Sequence, residues 1–188
     1  MILSAGNHPR WVPGSNLERK LIMEARAKLF GYSIHQMLIV LPLGLLVGAI
    51  IFDIVSFIAG GMQWRTVSYW LIALGVLSGL LAAVFGFADW TKIPAGTRAK
   101  RVGSAHGLGN VVVVGLFIIS WFLRGGPTHQ PTALAYILSF VGGGIALVTG
   151  WLGGELVDRL GVGVDDGASL DAPSSLSGRP ARGAAYGD

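Results

Sequence analysis

Apolar residues run almost unbroken through four stretches of the chain: Met37 to Ile58, about Ser68 to Ala88, about Val102 to Leu123, and about Ala133 to Leu152. Each matches or exceeds the roughly 20 residues that an α-helix needs to cross a hydrocarbon core of about 30 Å. The first span, about residues 33 to 58, is long enough to tilt. Short polar segments, GGMQWR, TKIPAGTRAK and GGPTHQPT, separate the spans, and the fourth run continues helically through GGELVDRLG. The pattern predicts an all-α integral membrane four-helix bundle over residues 31 to 166.

The flanks read differently. In SNLERKLIMEARAKLF, residues 15 to 30, Leu17, Leu21, Ile22, Ala25, Leu29 and Phe30 fall at helical spacing behind Ser15 or Asn16 as N-cap. This predicts a short amphipathic helix within an N-terminal segment, residues 1 to 30, with basic residues suited to anionic headgroups. The opening residues have no apolar core of a signal peptide, so the first span is expected to direct insertion. After Asp166 the tail, residues 167 to 188, is small, polar and proline-bearing, and is expected to be disordered.

Composition agrees with the pattern. Hydrophobic residues make up 52% of the 188 and charged residues only 13%, with a mean hydropathy of +0.62, outside the range of soluble domains. Cysteine is absent, which excludes disulfides, thiolate ligands and covalently attached haem, so any metal must use nitrogen or oxygen donors. The net charge of +4 does not point to nucleic acid, because the basic residues flank apolar spans and form no soluble basic face. Five lie before the first span (Arg10, Arg19, Lys20, Arg26, Lys28), four in the second loop (Lys92, Arg98, Lys100, Arg101) and three after the last span (Arg159, Arg179, Arg182), against Arg65 and Arg124 in the other two loops. The positive-inside rule predicts a multi-pass protein of the inner (cytoplasmic) membrane with both termini cytoplasmic. Trp64, Trp70, Trp90, Trp121 and Trp151 fall near span ends, where an aromatic belt sits.

Each span also carries a G-x-x-x-G pair: Gly44 with Gly48, Gly75 with Gly79, Gly103 with Gly107, Gly150 with Gly154. Such pairs let helices approach closely, within the bundle or between protomers, or clear a slot for a flat cofactor.

The ordered motifs resemble the small bacterial four-helix membrane proteins catalogued as domain of unknown function 2231. HQMLIVLPLGLL supplies His35, Pro42, Gly44 and a double leucine; Asp53 matches the acid late in the first helix; GFADW matches the close of the second; RAKRVGSAHGLGN supplies the basic loop, His106 and Asn110; and GWLGGELVDRLGVGV matches the glycine-rich ending. Gln36 stands where the family has proline. The resemblance covers about residues 31 to 166. It implies the four-helix architecture and a set of candidate residues, and the family has no established activity to add.

The candidate chemistry lies at one end of the bundle. With the termini together, odd spans start and even spans end on the same side, so His35, Asp89, His106 and Glu155 gather at similar depth, and Asn110 sits one turn beyond His106 on the same helix face. Ionisable groups at membrane depth are functional candidates. His35 and His106 suit the two axial positions of one b-type haem, as metal ligands on facing helices, with Arg98, Lys100 and Arg101 near its propionates and Asn110, Asp89 and Glu155 as supporting partners. Three other readings stay open: a non-haem zinc, iron or manganese held by His35, His106, Asp89 and Glu155, histidines that hydrogen-bond Asp89, Glu155 and Asn110 as bundle glue, and a proton or small-ion site. Asp53 lies five turns beyond His35 on the same face, about 27 Å away, either ending a polar path or bonding to Gln63 or Arg65.

No phosphate-binding loop, nucleophile with its base, or hydrolytic carboxylate pair is present, so the sequence predicts no autonomous enzyme. Three classes remain: a haem-binding electron-transfer subunit, a proton- or ion-conducting protein, and an accessory subunit. The expected partners are the lipid bilayer and another membrane protein or a second copy of the chain, and not nucleic acid.

Overall fold

The computed structural model describes residues 23–179 and 181. Two short strands, β1 (Lys28–Leu29) and β2 (Tyr32–Ser33), lead into α1 (Ile34–Leu38) and α2 (Val40–Ala59), which together form the first span. The other spans are α3 (Met62–Lys92), α4 (Arg98–Leu123), and α5 (Ala133–Gly154) extended by a π-helical turn, Glu155–Arg159. All four helices are long and apolar enough to cross a membrane.

Local chemistry explains the boundaries. Pro42 has no N–H to offer the Leu38 carbonyl, and the first span breaks at Ile39, between α1 and α2. Gly60 and Gly61, both at positive φ, turn the chain directly from α2 into α3. Thr97 and Thr132 cap α4 and α5, their hydroxyls accepting from the Lys100 and Ala135 amides at 3.1 and 3.2 Å.

The expected helix over residues 15 to 30 is corrected where the structure describes it. Over 23 to 30 the chain is not helical: Lys28 pairs with Ser33 and Leu29 with Tyr32, around a turn at Phe30 and Gly31 that both take positive φ. The Arg26 amide donates to Asp89 at 2.6 Å, and Met23 bridges to Val162, so this segment's backbone hydrogen bonds go to the bundle instead of to a helix of its own. Residues 15 to 22 lie outside the described residues. Residues 167 to 179 hold turns and one 3-10 turn, Ser175–Ser177; of the remaining tail, 180 and 182 to 188 lie outside the described residues.

The helices pair as two hairpins, α2 with α3 and α4 with α5, and α3 packs beside α4 and α2 beside α5. The first and third spans therefore lie diagonally across the bundle. A small apolar core, Leu46, Ala49, Ile72, Val113 and Phe117, fills the middle, while large side chains such as Ile58, Leu77, Leu108, Leu147 and Trp151 point outward. Polar side chains are buried alongside this core, among them Asp53, Ser68, Ser120, Ser139 and Thr149. Apolar faces outside and paired polar groups inside are what lipid as solvent selects.

Gly75 shows how tightly the hairpins close: a Cβ built there would lie 2.6 Å from Leu46 Cδ2. Gly75→Val is expected to destabilise the bundle by about 1–3 kcal/mol through overpacking, seen as a lower Tm in detergent, whereas Gly144→Ala, which meets nothing within 4 Å, is expected to leave Tm unchanged.

Candidate functional site

His35 sits on α1 and His106 on α4, and their ring centroids lie 6.5 Å apart with planes at 88°. The diagonal spans thus aim both imidazoles at the bundle axis. His35 Nδ1 lies 2.9 Å from the Ala82 carbonyl oxygen on α3, and His106 Nδ1 lies 2.8 Å from that of Thr149 on α5. A carbonyl only accepts, so each Nδ1 carries a proton, and in the neutral form of either ring the lone pair is then on Nε2. Behind each ring is a glycine one turn beyond the bonded carbonyl. A Cβ on Gly86 would lie 2.7 Å from His35 Cε1, and one on Gly153 would lie 3.2 Å from His106 Cε1.

Of the expected partners, Asn110 is in place. Its amide nitrogen lies 3.2 Å from His106 Nε2 and donates to the His106 carbonyl at 3.0 Å, while its oxygen accepts from Thr149 Oγ1 at 3.0 Å. Asp89 and Glu155 are at the same end but engaged elsewhere. Asp89, buried, accepts from the Arg26 amide and from Ser33 Oγ at 3.4 Å, and Ser33 caps α1 two residues before His35. Asp89 therefore fixes the start of the helix that carries His35. Glu155 accepts from Arg98 at 2.6 Å. Lys100 lies over the Trp90 ring at 3.5 Å and donates to the Trp90 carbonyl at 2.8 Å.

The histidine end is overlaid by the segments that flank the bundle. Lys28 bridges Glu24, at 2.8 Å, and Asp165. Partial burial pulls its pKa down, but the hydrogen bonds and charges of Asp165 and Glu24 outweigh that and raise it above the ordinary lysine value. The contribution of this bridge is present below that ordinary value and is lost as pH rises through the higher folded one.

The glycines named from spacing alone mostly do not face the site. Gly44, Gly107, Gly150 and Gly154 meet nothing within 4 Å, and Gly103 packs against Ile93 and Trp90. Gly86 and Gly153, outside every G-x-x-x-G pair, are the ones that seat the imidazoles.

At the other end of the bundle, Asp53 pairs with Arg124, which the sequence places in a loop. The pairing is bidentate, at 2.9 Å to Oδ1 and 2.6 Å to Oδ2, and both side chains are buried, at 0% and 1% exposed. Ser68 and Ser139 accept the remaining terminal guanidinium hydrogens, each at 3.2 Å, and the Tyr136 ring lies 5.4 Å from the guanidinium carbon. Neither Gln63 nor Arg65 is among the Asp53 partners. One signal in the sequence anticipates the pair: Arg124 follows His106 by the same five turns that separate Asp53 from His35.

Removing one member of a buried ion pair strands the other charge. Arg124→Met is expected to cost about 3–5 kcal/mol, measured as loss of thermal stability in detergent, and Asp53→Leu/Arg124→Met is expected to recover most of it. An Arg124→Met protein as stable as the wild type would show the pair is not holding the bundle.

The family model described as a predicted membrane protein, domain of unknown function 2231, matches residues 31–166. No curated protein and no solved structure matches the chain. The match spans all four helices, both histidines, Asn110 and the Asp53–Arg124 pair, and the chain belongs to the domain of unknown function 2231 family of membrane proteins.

Proposed function

We propose that the chain is a b-type haem-binding, electron-transfer subunit of the inner membrane, in which His35 and His106 take the two axial positions of one iron. The observation that carries this is the pairing of the imidazoles. Two metal–nitrogen bonds of about 2 Å, with roughly 1 Å from nitrogen to ring centre on either side, put trans imidazole centroids roughly 6 Å apart, and the observed separation is 6.5 Å. Both rings have Nδ1 tied to a backbone carbonyl, the arrangement that orients a ligating histidine and leaves Nε2 for a metal. Gly86 and Gly153, which have no side chain against the two rings, would leave the imidazoles room to face a flat macrocycle.

The donor set favours haem over a bare ion. Among the described residues no three His, Asp or Glu side chains converge, so a metal held by protein donors alone lacks ligands, whereas a macrocycle leaves only two positions to fill. When bound, the group would supply a one-electron couple. The protein would orient the two imidazoles, keep their Nε2 lone pairs free and exclude water with the lipid-facing apolar shell. Asn110 has to release His106 Nε2, and its amide retains the bonds to the His106 carbonyl and Thr149 when it does.

Protein purified from haem-supplied membranes is expected to be red with a Soret band, and His35→Ala or His106→Ala alone to remove the band as fully as the double substitution. A colourless wild type that takes up no added hemin refutes the assignment. With the site on the cytoplasmic side, a reporter fused after Asp188 is expected to be active only in the cytoplasm; activity in the periplasm would invert the topology.

A further inference from the structure

The two halves of the chain share a series of matched contacts. Asp53 and Arg124 are 71 residues apart, and the same spacing relates His35 to His106, Leu46 to Phe117 and Ala49 to Ser120. In the even spans a spacing one helical turn shorter relates Ser68 to Ala135, Gly75 to Gly142, Ala82 to Thr149 and Gly86 to Gly153. All these residues except the histidines, Gly86 and Gly153 are buried.

The contacts repeat along with the residues. His35 Nδ1 bonds the Ala82 carbonyl and His106 Nδ1 bonds that of Thr149. Gly86 backs His35 as Gly153 backs His106, and Gly75 faces Leu46 as Gly142 faces Phe117. Ser68 Oγ donates to the Ala49 carbonyl at 3.0 Å, and Ser120 Oγ donates to the Ala135 carbonyl at 2.7 Å, the same crossing with donor and acceptor exchanged. Matched contacts at four depths, with identities such as Leu45 and Leu116, Tyr69 and Tyr136, and Leu71 and Leu138 at the same two spacings, are expected of two copies of one hairpin.

We propose that the bundle is an internally duplicated helical hairpin, residues 35–93 and 106–160, whose pseudo-twofold axis runs between His35 and His106 and through the Asp53–Arg124 pair, making Gly86 and Gly153 the matched positioning residues for one ligand shared by both imidazoles. Odd spans run in the same direction, so the axis lies along the membrane normal, as in parallel-repeat transporters. The part concerning the ligand rests on the haem reading; the duplication does not. The symmetry also isolates what differs. Asn110 has Ile39 as its counterpart, at the break between α1 and α2, so only one imidazole carries a carboxamide on Nε2 and the two faces of the ligand are unlike.

Residues on an axis can trade places. Asp53→Arg and Arg124→Asp, each of which buries like charges together, are expected to lower Tm sharply in detergent, and Asp53→Arg/Arg124→Asp to recover most of the loss. Leu46→Phe/Phe117→Leu tests the same axis without charge, since each exchanged side chain again meets a glycine; its Tm is expected to lie near the wild type and above both single variants. If neither exchange does better than its single substitutions, the duplication is wrong. With hemin as probe, Gly86→Ala and Gly153→Ala are each expected to weaken binding by about 10–100-fold, with Gly144→Ala as unaffected control. Unequal effects, with one alanine silent, overturn the matched seats. A wild type that binds no hemin while the exchanges hold defeats the haem reading and leaves the duplication standing.

Discussion

The Asp53–Arg124 pair ties the four spans together at one end of the bundle. Lipid offers no hydrophobic gain for packing one helix on another, so the interior is organised by polar groups that have no partner outside. Asp53 on α2 and Arg124 at the end of α4 join the diagonal spans, and Ser68 and Ser139 bring in α3 and α5. One ion pair thus touches all four spans, and isolating either charge in a low-dielectric interior would be expensive.

From that fixed end the geometry of the other end follows. Helices held diagonally at one end bring His35 and His106 together at the other, and α1 is set in place by Ser33 and Asp89. The chemistry of the site is therefore built from backbone carbonyls, glycines and two rings, with the carboxylates working at one remove.

How much of this could be read from the sequence follows from what each signal encodes. The spans are legible because a bilayer imposes length and apolarity directly, and the shared depth of His35 and His106 follows from span direction alone. Arg124 was hidden by the same logic: an arginine just past an apolar run looks like a loop residue, and its burial depends on Asp53, far off in the chain. The glycine seats were hidden because G-x-x-x-G marks a spacing along one helix and not the face that meets an imidazole. The helix expected over residues 15 to 30 gives way at 23 to 30 because Asp89 and residues 161 to 163 capture that backbone, a tertiary event that local periodicity cannot register.

The proposed haem requires His35 and His106 to bind one iron between them. Electron paramagnetic resonance of the ferric, hemin-loaded full-length protein tests it most directly. Two trans imidazoles with ring planes near the 88° of this structure predict a low-spin, highly anisotropic signal that is lost in both His35→Ala and His106→Ala; a high-spin signal in the wild type, or one that survives either substitution, would contradict it.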